Sequence, residues 1–108
     1  MLVQNKNNMV MTFRMVTGEE VLARVSQEDD HSFTLKKPLV LTPIPSQGGQ
    51  PPGMALVPLL MSVDIETVEV TINKAAVLAS GATRKEIADQ YIQNTTGISP
   101  VSSLVGIK

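Results

Sequence analysis

The sequence predicts a mainly β fold, a small and strongly bent five-stranded antiparallel barrel followed by one short C-terminal helix. Three observations carry this expectation. Apolar and polar side chains alternate with a period of two through most of residues 10–80, Gly, Pro and Asn interrupt the alternation where turns belong, and the period becomes helical after residue 82. A chain of 108 residues with 43% hydrophobic side chains fits one such domain and has no room for a second. Aromatic residues are scarce, so the core falls to Val, Leu, Ile and six Met, an adaptable set.

Val10–Val16 sets Met11, Phe13 and Met15 against Thr12, Arg14 and Val16, the pattern of a strand with one buried face. Thr17-Gly18-Glu19 then reads as a tight hairpin, because Gly18 accepts φ > 0. Alternation resumes over Glu20–Ser26 and, after a polar break at Gln27–His31, over Ser32–Thr42. In that third strand Phe33, Leu35, Lys37, Leu39 and Leu41 share one parity, while Pro38 marks an edge or a bend. Residues 43–53 hold four of the seven Pro and three of the seven Gly, which predicts a flexible loop. Met54–Met61 and Thr67–Ile72 read as two strands or one long bent strand, and Ala75–Ala79 as a short last one.

Thr83-Arg84-Lys85-Glu86 has capping-box spacing, and Ile87, Ala88, Tyr91 and Ile92 fall on one helical face, so a helix is expected within 82–96. That face either packs on an open end of the barrel or a neighbouring subunit, or binds another protein. Residues 1–9 are expected to be flexible, and 97–108 to form a loosely held tail.

Composition narrows the function. With no Cys, disulfides, thiolate metal sites and thiol catalysis are excluded, and a reducing compartment suits the chain. Residues 1–9 lack the apolar stretch of a signal peptide and no run approaches the roughly 20 apolar residues of a membrane span, so a cytoplasmic protein without membrane partners is expected. A net charge of −1 means that any nucleic-acid binding must come from a local patch. Asp64, Glu66 and Glu69 do not make a usual metal ligand set with a single His, and no Ser sits in a nucleophile-elbow context. No catalytic residue, metal or cofactor is expected.

The strand count, the first hairpin and the short last strand resemble the Sm/LSm/Hfq family, whose fold is a bent five-stranded SH3-like barrel. In that family an Asp follows strand two and an Asn opens strand three. Here Ser32 stands at the Asn position, with Phe33 and Leu35 at the expected offsets and Asp29 or Asp30 supplying the acid. The family's second frame, Arg-Gly at the knuckle before the last strand, is matched by Asn73-Lys74 within Ile72-Asn73-Lys74-Ala75-Ala76-Val77. LKKPL, LVPLL and VTINKAAVL look similar to small Sm-like proteins of tailed bacteriophages. The likeness covers residues 10–80 and departs from the family in lacking the N-terminal helix, the Asn and the Arg-Gly.

The resemblance implies a homo-oligomeric ring joined by strand pairing, acting in RNA or DNA processing. Its pore would carry a nucleic-acid pocket, most plausibly for single-stranded RNA, made by Asp30, His31, Ser32, Asn73 and Lys74. The competing reading makes His31 a turn cap and Lys74 a solvated charge, and the chain a structural or protein-interaction module. Lys36 and Lys37 point to opposite faces and form no patch, whereas Arg14 and Arg24 would share the solvent face as a weak basic spot.

Overall fold

The computed structural model describes residues 9–64 and 69–96. Its elements are β1 (Met11–Met15), β2 (Glu20–Glu28), β3 (Ser32–Ile44), β4 (Gly53–Pro58), β5 (Glu69–Asn73), β6 (Val77–Ala82) and α1 (Lys85–Thr95), with a 3-10 turn over Lys74–Ala76 before β6. The expected β class with a C-terminal helix is borne out. The expectations for residues 1–8 and for the tail beyond Thr96 lie outside the described residues, as does Glu66.

Every pairing is antiparallel, in the order β4-β3-β2-β1-β6, and β5 also pairs with β3. β3 is long enough for two neighbours on one edge: Ser32–Lys36 pairs with β5, and Leu39–Ile44 with β4. β4 and β5 are thus two halves of one interrupted strand, six segments standing where five strands were expected. Barrel closure is not found, because among the described residues β6 pairs with neither β4 nor β5. Among the described residues the sheet is open, with β6 at one edge and β4 and β5 at the other.

The first hairpin forms as the sequence predicts. Gly18 sits at φ 109, its N–H donates to the Met15 carbonyl at 2.8 Å, and Met15 N–H donates to Glu19 at the same distance. The loop after β3 is shorter than expected, because Pro43, Ile44 and Gly53 belong to the ladder. At its tip Gln50 N–H donates to Gln47 across Gly48 and Gly49, both at positive φ as a mirror-image turn requires.

The sheet buries both faces. On the inner face Phe13, Val21, Ala23, Val25 and Leu35 form one cluster, in which Phe13 and Phe33 meet with ring centroids 5.0 Å apart and planes tilted by 59°. On the outer face Val10, Leu22 and Leu39 pack with Tyr91 of α1. Leu39 and Leu41 therefore leave the face of Leu35, contrary to the single parity read from the sequence. The cause is a bulge: Arg24 pairs with Lys36 but Leu22 with Leu39, so β3 has one extra residue there. The bulge contains Lys37 at φ 49, and it keeps that ammonium out of the inner core.

α1 lies on the outer face of its own sheet, not over an open end. The Tyr91 hydroxyl donates a shared bond to the carbonyls of Lys36 and Lys37, each at 2.9 Å, and Lys37 Nζ donates to the Thr95 carbonyl at 2.7 Å near the helix C-terminus, where a cation is favoured. The capping box does not form. Arg84 is the N-cap, with no side-chain bond, while the Thr83 hydroxyl pairs with that of Thr12 at 2.7 Å. Thr83 thereby pins the β6–α1 corner to β1. Among the described residues no helix is long and apolar enough to cross a membrane.

Candidate functional site

The two loops singled out from the sequence meet at one end of the sheet. Ser32 opens β3 opposite Asn73 of β5, and the Lys74 N–H donates to the His31 carbonyl at 2.8 Å. His31, Ser32, Asn73 and Lys74 are thus brought together by backbone pairing over some forty residues of sequence. Asp30 is exposed at the tip of the same turn.

The acid that organises this turn is Asp29. Its Oδ1 accepts the N–H groups of His31 and Ser32, both at 2.8 Å, and the Ser32 hydroxyl at 3.1 Å. These bonds, the His31 N–H foremost, hold the Asp29 carboxyl below its usual range. Asn73 has a parallel task, since its side-chain oxygen accepts Ala75 N–H at 2.8 Å and caps the 3-10 turn. Part of the expected pocket is therefore committed to shaping its own backbone.

Lys74 is committed as well. Its Nζ lies 2.7 Å from Glu28 Oε2 and 5.0 Å from the centroid of the Phe33 ring, so the stem covers the edge of the inner core while the charge is paired. Glu28, Asp29 and Asp30 follow one another at this end of the sheet, with Lys74 bound to the first of them. Asp30, His31 and Asn73 are all exposed at this end of the sheet.

Sequence reasoning missed Asp29 as the turn organiser, although Asp followed three residues later by Ser is a recognisable side-chain-to-backbone signal. It also missed Glu28, for which no local signal exists, because its partner is 46 residues away. The basic spot of Arg14 and Arg24 does not form. Arg14 pairs with Glu20 at 2.7 Å, and Arg24 is half-buried with its Nε enclosed and unbonded. Lys36 and Lys37 do diverge, the first exposed and the second bound to α1.

Beyond these loops, the sheet edges are unpaired among the described residues. β6 offers one edge, and β4 with β5 the other. Large apolar side chains are exposed near both: Val16 and Leu78 by β6, and Ile44, Met54, Leu60 and Met61 on or beside β4. No protein-family model matches this chain and no curated protein matches it.

Proposed function

We propose that the chain is a self-assembling subunit of Sm-like type, which joins its two free edges head to tail into a closed ring and serves as a structural or protein-interaction module. The observation that supports this reading most is the pair of edges that no described strand covers, each flanked by exposed apolar side chains. A free edge invites another strand, and one chain supplies both partners of such a contact. Light scattering on the purified protein at micromolar concentration is expected to report a discrete multiple of 11.6 kDa. A stable monomer would defeat the proposal.

A second reading keeps the same ring and gives it single-stranded RNA or DNA as ligand. It is favoured by the meeting of Ser32 with Asn73 and by the exposed His31, which a ring would repeat around its axis. In this case Asn73→Ala is expected to weaken base preference and Lys74→Ala to lower affinity and flatten its salt dependence. Fluorescence anisotropy with labelled oligo-U and oligo-A at two salt concentrations measures both. Absence of binding below about 100 µM, the weak end of non-specific association, would leave the interaction module alone.

A further inference from the structure

We propose that Arg24 and Lys36 form a binding site for a phosphate-type oxyanion on the outer face of the sheet, beside α1. The two residues are direct partners on β2 and β3. Their neighbours in sequence Ala23, Val25 and Leu35 belong to the inner cluster, so both side chains take the outer face, where direct partners stand side by side. Like charges in that position repel each other. Arg14, Lys74 and Lys85 each have a carboxylate, and Lys37 has the Thr95 carbonyl. Among the described residues no ion pair gives Arg24 or Lys36 the same relief. The acid beside them, Glu69, is the partner of Lys36 on β5, at the far end of that ladder from Asn73, so the pair is separate from the two loops.

Arg24 supplies a second observation. Its Nε is enclosed and has no acceptor. An enclosed N–H without a partner costs free energy that a bond to water or an ion recovers. The guanidinium therefore gains by moving outward to an acceptor that Lys36 also reaches. Nε and one terminal nitrogen make a fork for two oxygens, and the Lys36 ammonium adds a donor for a third, which suits a phosphate group with its several oxygens and its double charge. The Arg24 charge also acts on the Tyr91 hydroxyl, which sets this cation against the helix.

Phosphorus-31 NMR at neutral pH and constant ionic strength tests the site, with inorganic phosphate and methyl phosphate as separate probes. Saturable binding at millimolar concentration is expected, and Arg24→Gln or Lys36→Gln should each weaken it about tenfold, the worth of one charge-assisted hydrogen bond. Lys85→Gln should leave it unchanged. Lys36 is exposed, so Lys36→Gln tests the site even if Arg24→Gln fails to fold. In nitrogen-15 spectra the Arg24 Nε–H signal should move and exchange more slowly with water once phosphate is added. Binding of both probes assigns a terminal phosphoryl group and binding of inorganic phosphate alone assigns the free ion; either upholds the site. No saturation by about 0.1 M, where salt acts on every surface charge, overturns it. Equal weakening by Lys85→Gln, or phosphate binding that leaves the Arg24 Nε–H signal unmoved, overturns it too.

Discussion

Tyr91→Ala is expected to destabilise the protein by about 3–5 kcal/mol, the range for removing a large buried aromatic ring. Tyr91 is the main anchor of α1. Its ring is 1% exposed among Val10, Leu22 and Leu39, and its hydroxyl holds the carbonyls of Lys36 and Lys37. Those carbonyls flank the bulge at which β3 changes the face of its side chains, and Lys37 sits there at φ 49, a conformation that costs a non-glycine residue roughly 1–3 kcal/mol. Losing the ring therefore opens a cavity and also removes what holds the strained residue in place. Tyr91→Phe keeps the packing and loses only the hydroxyl bonds, which predicts a smaller cost of about 1–2 kcal/mol. Urea titrations followed by far-ultraviolet circular dichroism measure both variants. A cost below about 1 kcal/mol for Tyr91→Ala would show that α1 contributes little to the fold.

Local pattern explains why the strands and the helix were legible and the closure was not. Each strand announces itself through alternation, and Gly18 marks the first hairpin because one backbone position needs φ > 0. The bulge at Lys37 has no such mark. Phe33, Leu35, Leu39 and Leu41 keep one parity in the sequence, and only the need to keep Lys37 out of the inner core, together with the acceptors that Tyr91 requires, puts the extra residue there. Thr83 shows the same limit. It has the spacing of a helix cap, yet the Thr12 hydroxyl, 71 residues away in sequence, takes its side chain instead.

At the loop pair the residues named from the sequence meet, but some have duties that the sequence did not state. His31, Ser32, Asn73 and Lys74 do converge, through the pairing of β3 with β5, which alternation identifies as strands but does not pair. The charge balance was not legible. Whether Lys74 faces solvent or a partner depends on Glu28, which reaches it only once β2, β3 and β5 lie side by side. Sequence proximity thus identified the loops, while three-dimensional pairing decided their electrostatics.

Alkaline unfolding is expected between pH 10 and about 12, driven by the same tyrosine. Burial pushes the Tyr91 hydroxyl from its ordinary 10.0 up to about 12, because the phenolate would lose water without gaining an adequate partner; Arg24 nearby only partly offsets this. The folded state therefore keeps the proton after the unfolded chain has released it. This contribution to stability is complete below pH 10, declines as pH rises through the interval, and is exhausted above about 12. A rise from 10.0 to about 12 is worth roughly 3 kcal/mol, a large part of the stability of a small domain. Tyr91 is the only tyrosine and there is no Trp, so absorbance at the phenolate band reports this one group without interference. A spectrophotometric titration should have its midpoint well above 10 in the native protein and near 10 in urea. Tyr91→Phe removes the titrating hydroxyl, so the variant should retain a larger fraction of its neutral-pH stability at about pH 11.5 than the parent does. A native midpoint close to 10, or parent and variant losing stability in parallel, would mean that the hydroxyl is open to water and that α1 is not seated on the bulge of β3.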